Sequence, residues 1–110
     1  MQPEAHIHIR KRIAGRAKHP FPSNKPLVRF MDTVILAVGV IGPLFTLPQL
    51  YEIWVQHNAA GVSALSWGGY SFLSAIWLLY GLLHREKPII VAHSAWLIFN
   101  SAVAIGAMLY

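Results

Sequence analysis

The sequence predicts an all-α membrane protein, a bundle of three transmembrane helices. Three observations carry this. The 110-residue chain has a mean hydropathy of +0.48 and is only 12% charged. A soluble domain of this size buries roughly two thirds of its unfolded surface, too little to hide so much apolar material from water. From position 32 onward the only carboxylates, lysines and arginines are Asp32, Glu52, Arg85, Glu86 and Lys87, and they mark off uncharged stretches at 33–51, 53–84 and 88–110. These stretches are continuously apolar rather than alternating, which disfavours a closed barrel.

The first 31 residues are a different material. Arg10, Lys11, Arg12, Arg16, Lys18, Lys25 and Arg29 face one acid, Glu4, and Pro3, Pro20, Pro22 and Pro26 argue against a long helix. The composition is that of a disordered, solvated tail. Its charge also suits anionic lipid headgroups, at about 1 kcal/mol per basic residue near the surface. Nucleic acid is not an expected partner, because no stacking aromatics accompany the charge. His6, His8 and His19 lack a fixed scaffold for a metal. A signal peptide fits poorly and a transit segment is serine-poor. A translation start at Met31 would remove the tail altogether.

The membrane domain is expected over 32–110, with spans at about 33–54, 64–83 and 88–110. Each is near the roughly 20 residues that cross the hydrocarbon core. Between the first two lies a polar loop at 56–63.

On the first span, Gly39, Gly42, Thr46, Gln49 and Ile53 fall on one helical stripe. Small residues there let helices pack closely. Pro43 and Pro48 add more than packing, since each removes a donor and frees a carbonyl one turn back. Two prolines beside Gln49, whose amide needs a partner in hydrocarbon, predict a hinge at a polar cavity.

On the second span, Tyr70, Ser74, Trp77, Gly81 and His84 share a stripe. Trp67 fits an interfacial anchor. Trp77 sits in the middle third, so its N–H calls for an interior partner; core packing and a cavity wall both answer that description. On the third span, His93, Trp96, Asn100 and Ala104 run down one side, with hydroxyls at Ser94 and Ser101. A buried amide also serves plain helix association, and His93 also reaches the membrane surface by snorkelling. Together, Gln49, Trp77, His93 and Asn100 put a polar or aromatic group at depth on every span.

Such a pocket binds; it does not break bonds. The sequence has no paired carboxylates, no nucleophile with a base, no phosphate loop and no metal cluster, so neither an enzyme nor a cofactor is expected. There is no cysteine, hence no disulfide. An aromatic face with amide and imidazole hydrogen-bonders suits a neutral, hydroxylated small molecule such as a sugar.

From about Asp32 to Tyr110 the chain resembles the SemiSWEETs, the bacterial half-size relatives of the SWEET sugar transporters in the PQ-loop superfamily. The residues that carry the resemblance are Gly42-Pro43, the Thr46-Leu47-Pro48-Gln49-Leu50 segment, and Gly61-Val62-Ser63 before Ser66-Trp67. Trp77-Leu78-Leu79-Tyr80-Gly81 and Pro88-Ile89-Ile90 complete the series. The resemblance implies a three-helix bundle working as a parallel homodimer in the bacterial inner membrane. It implies facilitated diffusion of a sugar by alternating access, with the Pro48-Gln49 pair, and Pro43 beside it, as the hinge. It implies Trp77 in the binding pocket, His93 where many relatives carry an asparagine, and Tyr80 and Arg85 near a gate. Asn100 either supplies the missing amide or packs.

Imidazole hydrogen-bonds hydroxyls and also titrates near neutral pH. A proton-coupled transporter of another solute is therefore an alternative, and a holin-like or structural membrane protein is a third. Orientation stays open as well. The positive-inside rule puts the tail and the Arg85/Lys87 loop in the cytoplasm, whereas the resemblance implies an N-terminus outside.

Overall fold

The computed structural model describes residues 21–110, so residues 1–20 of the basic tail lie outside the described part. The chain divides into two units, Met1–Thr33 and Val34–Tyr110. Every described residue in regular structure is helical: α1 Pro26–Leu44, α2 Leu47–Trp54, α3 Ala64–His84 and α4 Lys87–Leu109.

In the first unit, helix α1 begins at Pro26, inside the segment expected to be tail. Proline suits a helix start, where its missing N–H would have had no partner. Two side chains fasten the turn ahead of it. The Ser23 N–H donates to the Asp32 carboxylate (2.8 Å), and the Ser23 hydroxyl accepts from the Lys25 N–H (3.2 Å).

In the second unit, the first expected span is two helices rather than one. Helix α1 stops at Leu44 and α2 resumes at Leu47 with Pro48 in its first turn. Between them, the Phe45 N–H reaches the Gly42 carbonyl (3.2 Å) and the Thr46 N–H reaches the Pro43 carbonyl (3.0 Å). These are tighter three-residue bonds of the kind found where an α-helix ends. Pro48 cannot donate back to Leu44, and its ring crowds that carbonyl. The break therefore falls between the two prolines.

Helix α3 starts at Ser63, whose hydroxyl accepts from the Ser66 N–H at 3.1 Å, satisfying one of the otherwise unpaired donors of the first turn. It ends at Arg85, in the left-handed conformation with φ 55°, and the Glu86 N–H closes on the Gly81 carbonyl at 2.9 Å. Helix α4 follows at once, with Pro88 in its first turn.

The last helix in sequence is packed by all three earlier helices, and glycines set the approach. A Cβ on Gly81 of α3 would stand 2.9 Å from Ile89 of α4, and one on Gly39 of α1 would stand 3.1 Å from Ala92. At the other end, a Cβ on Gly106 of α4 would collide with Ile53 of α2. The Trp54 indole N–H donates to the Ala102 carbonyl at 3.0 Å.

The stretch Pro26–Trp54, with mean hydropathy 1.9, and α4, with 1.7, are long and apolar enough to cross a membrane. Helix α3 has 21 residues, about 31 Å at 1.5 Å per residue. It is less apolar because Ser66, Trp67, Gly68, Gly69, Tyr70, Ser71 and Ser74 crowd its first half. Among the described residues, the buried apolar core is only Ile53, Val103 and Ala104, while Phe72, Leu83 and Ile98 are about two thirds exposed or more. An outside so apolar belongs in lipid or against another chain.

Candidate functional site

Four polar side chains, Ser71, Ser74, Asn100 and Ser101, meet on the seam between α3 and α4. Asn100 and Ser74 are both buried, and the Asn100 amide donates to the Ser74 hydroxyl at 3.2 Å. The Ser71 and Ser101 hydroxyls pair directly. Positions 71 and 74 share one face of α3, and 100 and 101 are adjacent on α4, so ordinary helical spacing zips the two helices together.

Above this seam opens a cleft of about 400 Å³, lined by Trp67, Tyr70, Leu73, Ser74, Trp77, His93, Trp96 and Asn100. It lies within the 300–1,000 Å³ range of small-molecule sites, with the usual mixture of apolar walls and a few polar groups. Trp77, His93 and Asn100, the side chains expected to bind a ligand, all line it. Trp77 is half exposed; its N–H needs no interior partner, because the ring forms a wall of the cleft instead of core.

The His93 imidazole lies almost parallel to the Trp77 indole, with centroids 5.5 Å apart and planes at 14°. Its Nδ1 is buried and finds no hydrogen-bond partner among the described residues. Leaving a buried nitrogen unpaired costs about 1–3 kcal/mol.

Five lining residues escaped the sequence expectation of a binding site: Trp67, Tyr70, Leu73, Ser74 and Trp96. Trp67, expected as an interfacial anchor, packs edge-to-face on Tyr70 at 5.6 Å and turns into the cleft. The available signal was the i, i+3, i+7, i+10 run of Trp67, Tyr70, Ser74 and Trp77 on one helix face.

The expected hinge residues lie elsewhere. Pro43 is fully buried, Pro48 is exposed and Gln49 is half-buried. None of the three lines the cleft, so Gln49 is not brought together with Trp77, His93 and Asn100. Of the two expected gate residues, Tyr80 packs edge-to-face on Trp77 at 5.9 Å, whereas Arg85 serves as the helix cap. The basic ring against Tyr80 is His84, 4.3 Å away. Among the described residues no group of three His, Cys, Asp or Glu side chains could hold a metal.

The arrangement has aromatic faces for the C–H surface of a ring and a few neutral hydrogen-bonders for its hydroxyls. No Asp, Glu, Lys or Arg side chain lines it. No family model and no solved structure matches the chain. A curated protein from Vibrio sp. (strain N418), named sugar transporter SemiSWEET, is 35% identical over an alignment of 78 residues that covers 69% of this chain and 80% of that relative.

Proposed function

Because this chain belongs to the SemiSWEET family of sugar transporters, we propose that it carries a small neutral sugar across the bacterial inner membrane by facilitated diffusion. The observation that carries the reading is the cleft in which Trp77, His93 and Asn100 meet. The indole covers the apolar face of the sugar ring. The imidazole and amide bind its hydroxyls, and no carboxylate, lysine or arginine lines the cleft to demand a charged ligand.

The transporter is a parallel homodimer of three-span protomers, with α3 as the second crossing. Three helices are too few to surround a sugar-wide path. Tyr70, Trp77 and Tyr80 each leave about half their surface uncovered along α3, where a second copy would close the other side. Alternating access uses the break at Phe45–Thr46, with Pro43 and Pro48 on its flanks and Gln49 in the turn that follows. At this break the α-helical bonds are interrupted, so bending there disrupts few further bonds. Transporters built from parallel repeats, related by an axis along the membrane normal, hold their substrate near the bilayer midplane where the repeats meet. Two identical protomers side by side supply that symmetry.

The test is uptake of labelled mono- and disaccharides by purified dimer in liposomes. Saturable uptake of at least one sugar is expected; none, with folded dimer present, overturns the reading. One observation favours a second reading, proton-coupled transport through His93: its buried Nδ1 has no partner among the described residues. That reading requires an inward-directed proton gradient to drive accumulation, and His93→Asn to remove the effect.

A further inference from the structure

Two clefts flank α4. The first, about 400 Å³, is the one that holds Trp77 and Asn100. The second, about 330 Å³, opens toward α1 and is lined by Ile35, Val38, Gly39 and Gly42 among others. Just two side chains, His93 and Trp96, belong to both walls. His93 is stacked on Trp77 and so held toward the first cleft. The larger ring, Trp96, reaches the other way. Its Cζ2 lies 3.5 Å from where a Cβ on Gly42 would stand. The indole thus extends from the Asn100 side of α4 to the backbone just before the buried Pro43.

We propose that Trp96 is a specificity-determining partition. Its ring divides the space around α4 so that one sugar ring fits on the Trp77 side, and it excludes the second ring of a disaccharide from the space beside Gly39 and Gly42. That space is walled by aliphatic side chains and by glycines without a Cβ, which suits the apolar face of a second sugar ring. Removing the indole joins the two clefts into one longer site. The inference rests on the sugar-transport reading and adds the size class of the substrate and the residue that sets it.

The experiment measures initial uptake of a labelled monosaccharide and a labelled disaccharide into liposomes by the full-length protein and by Trp96→Phe, Trp96→Leu and Trp96→Ala. Dimer integrity is followed by size-exclusion chromatography. The disaccharide-to-monosaccharide ratio of kcat/KM is expected to rise as the ring shrinks, by about tenfold or more for the smallest side chain that folds, as for other pockets that sort ligands by bulk. Refilling the second cleft in that background with Val38→Phe is expected to return the ratio toward the starting value, which a merely structural role for Trp96 would not do. An unchanged ratio in folded variants that still take up the monosaccharide overturns the partition and leaves the transport reading standing. Absence of saturable uptake by the unaltered protein overturns the transport reading, and the partition with it.

Discussion

The imidazole of His93 on α4 lies nearly flat against the indole of Trp77 on α3, with 5.5 Å between centroids and 14° between planes. The pair ties together the two helices that form the cleft and fixes which faces of the two rings remain open to a ligand. Trp77 also packs edge-to-face on Tyr80, so its ring is located by one neighbour on its own helix and one across the seam. A ring held in this way has little rotamer freedom left to lose when a ligand binds against it.

Trp77→Ala is accordingly expected to abolish saturable uptake while leaving the protein folded, because the indole is half exposed and not part of the core. A loss of at least about tenfold in kcat/KM corresponds to ~1.4 kcal/mol of lost stabilisation, and a retained ring in Trp77→Phe should recover part of it. Normal uptake by folded Trp77→Ala would remove this residue from the site.

The first-span break leads to a second expectation. Pro48→Ala supplies the missing N–H and allows the α-helical bonding of α1 to run on into α2. The protein should be as thermally stable as before or more so, since proline disfavours a continuous helix by up to about 3 kcal/mol. Its uptake should nevertheless slow, because bending at Phe45–Thr46 would now break formed hydrogen bonds. Tm and initial uptake rates measured on one preparation separate the two effects. Faster or unchanged uptake would argue against a hinge there.

How far these positions were legible in the sequence depends on the kind of signal. Ser63, Arg85 and Pro88 punctuate α3 and α4 locally, and helices over 64–83 and 88–110 follow from length, apolarity and these breaks. The pairing of Trp77 with His93 across 16 positions is tertiary, yet both stand on helical stripes that pointed to one cavity. Trp67 stands near a helix start, where tryptophan is commonly a membrane-surface anchor; that it also lines the cleft beside Tyr70 follows from packing and not from local sequence. Gln49 was expected in the same cavity from its polarity; the break ahead of it changes the register between the stripe on α1 and the one on α2. The helical turns after Pro26 were hidden because proline-rich, basic sequence reads as tail, and the fastening by Asp32 involves a residue nine positions from Ser23.

Close helix approach gives a third expectation, about stability. Gly106→Ala sets a Cβ against Ile53, closer than atoms can stand, and 2.9 Å from the Trp54 Nε1, so it must displace the buried Ile53 and disturb the hydrogen bond from Trp54 to Ala102. Overpacking of this kind costs about 1–3 kcal/mol. Gly68→Ala meets nothing within 4 Å and, inside a helix, should be neutral or mildly stabilising. Thermal unfolding in detergent compares the two; equal Tm values would contradict the tight seam between α2 and α4.

The last expectation concerns Asn100 and separates a structural amide from a binding one. Asn100 donates to Ser74, and both are buried at the floor of the cleft. Asn100→Leu removes the amide and leaves the Ser74 hydroxyl without this partner, at a stability cost of about 1–3 kcal/mol. Ser74→Ala removes the other half of the bond and leaves the amide in place to meet a ligand. If Asn100 binds sugar, Asn100→Leu should raise KM well beyond the effect of Ser74→Ala at comparable Tm loss. If the amide only joins the helices, the two variants should lose stability alike and keep the same KM as the unaltered protein. The first outcome is the one expected, because among the residues lining the cleft Asn100 provides the only carboxamide, a group that both donates to and accepts from neighbouring hydroxyls; the second would remove Asn100 from the site and leave Trp77 and His93 to hold the ligand.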